Sequence, residues 1–318
     1  MPLVSIVIPC CNADKYIAEA IESALAQTYP NKEIVVIDDG STDGSLDSIR
    51  SFGDRVCWES GPNRGGGAAR NRGIQLAQGE LIQFLDADDI LYPCKLERQI
   101  CRIMEVGDGI VFCDRVERMP DAESGFEVSF SVTSRDSLVQ ILSGHIQTSA
   151  PIHRKDNLLK VGGFREDLPC AQEFDLHLRQ AAAGYEFHHL PEALYELRKR
   201  DDSVSSNYER VLDQYATILW PVFEQLQTSG QMSDERRTAF AHRMANAGRS
   251  YMRMGRCEKG LRYFDEAAKM DPNAWMKVYS RSSLVLRGIV GPCFLEKLVL
   301  VRRMIFRQRA RRSNVRFP

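Results

Sequence analysis

The chain has 318 residues, 43% of them hydrophobic and 27% charged, enough for one large domain or two modest ones with separate cores. Its 42 basic residues nearly cancel 43 acidic ones, for a net charge of -1, so the chain as a whole carries no footprint of a nucleic-acid binder. No uninterrupted apolar run approaches the ~18–20 residues that span a bilayer; the nearest, Leu284 to Val301, is broken by Arg287, Pro292, Glu296 and Lys297.

In chain order, Leu3 to Pro9 is β-branched and nearly continuous in apolar character, which predicts a strand buried on both faces. Asp14 to Gln27 follows with a helical stripe of Tyr16, Ile17, Ala20, Ile21, Ala24 and Leu25. Glu33 to Asp38 reads as a second buried strand, running into the turn-rich Asp39 to Ser45. Arg55 to Glu59 is a third strand, Gly66 to Gln78 a helix, Leu81 to Leu85 a strand, Pro93 to Glu105 a helix and Gly109 to Cys113 a strand. Such alternation means βαβ units and a largely parallel α/β sheet. Right-handed crossovers then gather the loops after the strands on one edge, where ligands of open α/β sheets bind. Segments 38–45, 61–70 and 86–89 fall at such strand ends.

Beyond about residue 115 the alternation weakens. Ser134 to Leu142 and Cys170 to Ala183 read as helices, and Glu186 to Leu190 and Ala193 to Leu197 as two short strands. After Ser205 the pattern is helical throughout. Arg236 to Lys269, broken at Gly255 and closed by Asp271-Pro272, looks like a single tetratricopeptide-type hairpin or a plain helical hairpin. From Lys277 onward the basic residues, among them Arg302, Arg303, Arg311 and Arg312, are opposed only by Glu296. With Leu298, Val301, Ile305 and Phe306 they form a basic amphipathic segment suited to peripheral contact with an anionic membrane or to an oligomer contact. The N-terminus lacks a secretory pattern, so a cytoplasmic location is expected. The nine cysteines are scattered without metal spacing and read as small buried hydrophobes in a reducing compartment.

The residues that carry chemistry sit at the strand ends. Asp86, Asp88 and Asp89 would repel one another without a cation or hydrogen-bond donors. Hard divalent ions, Mg²⁺ or Mn²⁺, prefer carboxylate oxygen and bind it together with phosphate oxygens. Asp89 is expected to cap a following helix. Asp39 suits a ribose hydroxyl or a base N–H, or else an Asx turn. Glycines 65–67 before a helix let backbone approach an anion, and Arg70 suits phosphate. The order is neither that of a dinucleotide fingerprint nor that of a P-loop.

In sequence, Val4 to Pro9, Asn12, Asp38 to Ser45, Asn63-Arg64-Gly65, Ala69 to Gly73, Ala77 to Glu80 and Leu85 to Asp89 together resemble the family 2 glycosyltransferases, which have the GT-A fold. The resemblance covers roughly residues 1–205 and implies an inverting transferase using a nucleoside diphosphate sugar, often a UDP-sugar, with Mn²⁺ or Mg²⁺. By that resemblance Asp39 contacts the base, Pro9 and Asn12 lie in the first nucleotide loop, and Arg70 and Ala87 belong to the donor site. Asp86 and Asp88 match the DxD pair, with Asp88 the direct metal ligand. Gln172-Glu173 falls at the family's Glu-Asp pair after Gly162-Gly163-Phe164, making Glu173 the candidate base, one methylene longer than the usual Asp, with Asp175 its competitor. Arg200 stands where the family often has His, and His188 and His189 are read as non-catalytic. The expected organisation is a GT-A domain over 1–205, a helical region over 206–276 and a basic amphipathic tail over 277–318. The acceptor is expected to be a saccharide or lipid-linked saccharide. The competing readings are a degenerate transferase domain acting as a scaffold and a sugar nucleotidyltransferase. The second needs a basic N-terminal loop that Pro9-Cys10-Cys11-Asn12 does not offer.

Overall fold

The computed structural model describes residues 1–120, 122, 124–199 and 208–272. The chain divides into two compact units, Met1–Tyr208 and Glu209–Pro318. The tail over 277–318 and Arg200 lie outside the described residues.

The first unit begins with β1 (Val4–Cys10), α1 (Asp14–Leu25), β2 (Lys32–Asp39), α2 (Ser45–Arg50), β3 (Cys57–Gly61), α3 (Gly66–Leu76) and β4 (Leu81–Phe84). It continues with β5 (Ile90–Leu91), α4 (Lys95–Val106), β6 (Ile110–Arg118), β7 (Phe126–Val128), α5 (Ser137–Ser143), β8 (Pro151–Arg154), α6 (Lys155–Lys160), α7 (Gln172–Ala182) and β9 (Phe187–Arg198). The strands form one sheet in the order β3-β2-β1-β4-β8-β6-β9-β5, with β7 beside β6. β3, β2, β1 and β4 are mutually parallel, and their apolar runs are buried as a doubly covered sheet requires. β8 runs antiparallel to both β4 and β6, so β6 points the same way as β4. The chain reverses direction across the sheet between β1 and β4, and the carboxyl ends of β1, β2 and β4 therefore open onto one edge.

Val7, Val35, Ile37, Ala69, Ile74, Phe84, Phe164 and Leu176 bind that half-sheet to α3 and α7 in one core. Gly73 permits the close approach of α3, since a Cβ there would lie 2.2 Å from Val7 Cγ1. The two short strands expected at 186–190 and 193–197 are one strand, β9, whose pairing with β6 shifts register after Cys113 and again after Asp114. Pro191 lies in the stretch that the bulge sets aside, and it has no N–H to give to a ladder. Of the cysteines, Cys10, Cys113 and Cys170 are buried, but Cys11, Cys57, Cys94 and Cys101 are exposed, so burial explains only some of them.

The second unit contains α8 (to Thr228, starting at the boundary residue Tyr208), α9 (Asp234–Arg253) and α10 (Cys257–Met270). Ser233 caps α9 by accepting from the Arg236 N–H at 3.2 Å. Gly255, at φ +78°, turns the chain into α10. The hairpin closes tightly because Gly248 and Gly260 face each other: a Cβ on Gly248 would lie 3.0 Å from the Gly260 carbonyl oxygen. Tyr251 donates to Asp213 and Tyr263 to the Leu212 carbonyl, each at 2.5 Å, fastening the hairpin to α8.

Candidate active site

The loops after β1 and β2 are locked to each other and to the glycine-rich segment. Asn12, in the left-handed region at φ +51°, accepts from the Thr42 N–H at 2.8 Å, and its own N–H donates to Ser41 Oγ at 3.0 Å. Pro9 lies three residues earlier, near the end of β1, paired with Ile37. Asp38 accepts from Ser60 Oγ at 2.6 Å. Asp39 is buried, and its two oxygens accept from the backbone N–H groups of Arg64 at 2.7 Å and Gly65 at 2.8 Å. The carboxylate thus fixes the loop that opens α3. Gly40, at φ +71°, admits that loop, because a Cβ there would sit 2.6 Å from the Asn63 nitrogen.

At the end of β4, Asp86 and Asp88 are half-buried while Ala87 and Asp89 are buried. Asp86 Oδ1 accepts from Arg70 Nη2 at 2.6 Å, a pair whose arginine side chain is 13% exposed. Asp89 does not cap a helix, contrary to expectation. It is followed by β5, and α4 starts only at Lys95. Its carboxyl instead accepts from Ser149 Oγ at 2.7 Å and from the Arg198 N–H at 3.3 Å, joining the acidic turn to β9 and to the approach of β8. Burial, with the charges of Asp86 and Asp88 adding to it, holds Asp89 well above the usual carboxylate range. Among the described residues no set of three or more His, Cys, Asp or Glu side chains converges on a metal-sized point. Asp86 and Asp88 are the half-buried carboxylates of the turn, oxygen donors of the kind a hard divalent ion takes, and Asp86 is engaged by Arg70.

Arg70 joins this turn to α7. Besides Asp86 it reaches Gln172 Oε1 at 3.2 Å, its guanidinium lies 5.4 Å from the centroid of the Phe164 ring, and its buried Nε has no hydrogen-bond partner among the described residues. The neighbouring Asn71 holds the Gly162-Gly163-Phe164 segment by accepting from the Phe164 N–H at 2.8 Å and donating to the Phe164 carbonyl at 2.9 Å. Gln172 also donates to the Leu168 carbonyl at 2.7 Å, which sets the first turn of α7. Glu173 lies in that turn with a side chain 20% exposed, 3.5 Å from His145 Nε2. Asp175 is 2% exposed and paired with Arg179 at 2.7 Å and Arg165 at 3.6 Å. His189, read as non-catalytic, pairs with Asp114 at 2.7 Å. Of the predicted residues, Arg70 and Asp86 meet directly, and Gln172 links them to the helix turn of Glu173. Pro9, Asn12 and Asp39 lie at the ends of the adjoining strands. Sequence reasoning missed Ser149 and His145, whose loop shows no periodicity or motif of its own.

Residues 5–157 match the family model for glycosyl transferase family 2. An uncharacterized glycosyltransferase of Rickettsia typhi is 34% identical over 240 residues, covering 73% of this chain and 74% of that protein. Another, from Rickettsia prowazekii, is 37% identical over 182 residues, covering 55% of this chain and 57% of its own length. Among solved structures, S. aureus TarS 1-349 aligns with a TM-score of 0.68 at 18% identity, over 96% of this chain and 91% of that one. A mannosyltransferase from Pyrobaculum calidifontis, solved with GDP-Man and Mn²⁺, aligns with a TM-score of 0.59 at 18% identity, over 93% and 86%. Likeness at such identities concerns the fold, here the expected GT-A α/β arrangement followed by helices. The sequence relatives carry the further conclusion: the chain is a glycosyltransferase and belongs to glycosyltransferase family 2.

Proposed function

We propose that the chain performs an inverting transfer of a sugar from a nucleoside diphosphate sugar, in the first instance a UDP-sugar, to a hydroxyl of a saccharide or lipid-linked saccharide. The observation that carries this reading is the bridge from Asp86 through Arg70 to Gln172, beside Glu173. It links an arginine–aspartate ion pair to the residue before Glu173, a partly exposed carboxylate at the start of a helix. TarS has been solved with UDP-GlcNAc and with UDP, which supports a UDP-sugar.

In this reading Pro9, Asn12, Asp39 and Ala87 shape the nucleotide pocket, Arg70 pairs with the diphosphate, and Asp86 and Asp88 hold Mn²⁺ or Mg²⁺. The ion, when bound, supplies positive charge to the departing diphosphate. Glu173 takes the proton of the acceptor hydroxyl. That oxygen bonds to the anomeric carbon as the bond from the carbon to the phosphate oxygen breaks, and its electron pair leaves with the diphosphate. Asp175 is the weaker candidate for base, because its carboxylate is buried and already neutralised by two arginines.

A panel of UDP-GlcNAc, other UDP-sugars and GDP-mannose with Mn²⁺ or Mg²⁺, read as free nucleoside diphosphate, tests the reading. Asp88→Ala is expected to abolish metal-dependent UDP binding. Glu173→Gln is expected to keep UDP binding and lose about 10²–10⁴-fold in transfer, the usual worth of a general base. Near-normal turnover in that variant moves the base to Asp175 or elsewhere. Tight UDP binding with no turnover of any donor favours the scaffold reading.

A further inference from the structure

The loop between α5 and β8, residues 144–150, touches both sides of the site. Near its end Ser149 accepts from the Asp86 N–H at 3.2 Å, donates to Asp89 at 2.7 Å, and offers its carbonyl to Gln83 Nε2 at 3.0 Å. Near its start His145 Nε2 lies 3.5 Å from Glu173 Oε1. The segment between is held: the Gly144 N–H bonds the Gln140 carbonyl at 2.9 Å and the Ala150 N–H bonds the Gln147 carbonyl at 3.1 Å. Ile146, Thr148, Ser149 and Ala150 are buried. One short, anchored segment thus spaces the acidic turn from the carboxylate of Glu173.

That spacing matters because Glu173 is longer than the aspartate its position resembles. The added methylene is an added rotatable bond, and a carboxylate on it occupies more positions unless a partner selects one. The neighbouring side chains of α7 are committed elsewhere, Gln172 to Arg70 and Leu168 and Asp175 to Arg179. At 3.5 Å the imidazole contact is longer than a formed hydrogen bond, as catalytic contacts often are before reactants tighten them, and it is an ion pair when the ring is protonated.

We propose that His145 is a positioning residue for the transfer, its Nε2–H holding the Glu173 carboxylate where it takes the acceptor proton. The inference rests on Glu173 being the base. His145 stays in the site through the Ser149 anchor, so the base is placed relative to the same turn that holds the leaving group. Its imidazole is 42% exposed.

The test uses the full chain and three variants, His145→Ala, His145→Gln and Glu173→Gln. Turnover is read as UDP released from UDP-GlcNAc or GDP released from GDP-mannose, and binding as calorimetry of UDP with Mn²⁺. His145→Ala is expected to lower kcat about 10- to 100-fold, the scale of a misplaced catalytic group, while UDP affinity stays within about twofold. His145→Gln, whose side-chain N–H reaches the same carboxylate, recovers most of the loss. In a Glu173→Gln background, His145→Ala costs little more, because the two act as a unit. An inactive Glu173→Gln beside an unimpaired His145→Ala overturns this inference alone. A loss in His145→Ala that His145→Gln does not restore, or that comes with lost UDP binding, also overturns it. A near-wild-type Glu173→Gln overturns the base assignment and this inference with it.

Discussion

Lys95 sits at the first residue of α4 with no exposed surface. Its ammonium donates to the side-chain oxygens of Gln83 and Gln99 and to the Ala150 carbonyl, all neutral acceptors. Burial without a carboxylate pushes it down from 10.5 to about 8. Between those values the unfolded chain binds the proton and the folded chain does not, so stability rises with pH. Integrating the two titration curves from about pH 7.5 to about pH 9.5 gives a gain of about 2 kcal/mol, at ~1.36 kcal/mol per pH unit. Buried Cys113 and Cys10, pushed up to about 11 and about 12, act in the opposite sense, because the folded thiols keep protons that the unfolded chain releases above its thiol range. Comparison with Lys95→Met removes the Cys10 contribution, and that of Cys113 apart from the charge that Lys95 itself lends the thiol. The measurement is urea unfolding followed by Trp58 in a Trp220→Phe, Trp275→Phe background at the two pH values. Wild type is expected to gain about 2 kcal/mol on Lys95→Met across the interval. A gap that changes by less than about 0.5 kcal/mol refutes the reasoning, since the lysine would then titrate as it does in water. The outcome bears on the site, because Gln83 bonds both Lys95 and Ser149, the residue that anchors the acidic turn.

Arg70→Gln gives up the ion pair with Asp86 and the face of Phe164 at a largely buried position, which should cost about 2–3 kcal/mol. A melt lowered by about 5–10 °C and markedly weaker UDP binding by calorimetry are the expected signs. Gly163→Ala places a Cβ 2.6 Å from Asn71 Oδ1 at φ +65°, and should cost about 2 kcal/mol while loosening the α7 entry, read as a lower melt together with lower kcat. Gly248→Val drives a side chain into the Gly260 carbonyl across the α9–α10 crossing. A loss of about 1–3 kcal/mol should appear in the circular-dichroism melt of the helical unit.

The strands that frame the donor side were legible because burial on both faces writes itself as continuous β-branched runs, as in Val4–Cys10 and Lys32–Asp39. The shared edge of the motifs at their ends followed from sheet geometry, and the roles of their residues from the family resemblance. Asp89 was misread because a local rule, acidic turn before helix, competed with a pairing that local sequence does not carry: β5 is two residues long and meets β9 at Glu196. β8 escaped for a similar reason, being four residues whose partners lie far back in the chain. His145 and Ser149 were hidden more completely. Ser149 meets Asp86 across a separation of 63 residues, and neither spacing nor composition marks such a contact.

The antiparallel insertion of β8 has a kinetic consequence. β1, β2 and β3 pair in turn through short helical crossovers, whereas β4 returns to β1 across about 77 residues, and β8 must thread between β4, some 70 residues earlier, and β6, meeting each through only a few residues. It is the seam of the sheet, and Ser149, which completes the acidic turn, lies two residues before it. The half-sheet β3-β2-β1-β4 is therefore expected to gain hydrogen-exchange protection first, at β1 and β2, and residues 152–154 later. On that order the carboxylates of the turn stay unassembled until the two halves of the sheet are joined, so a partly folded chain presents no finished acidic turn.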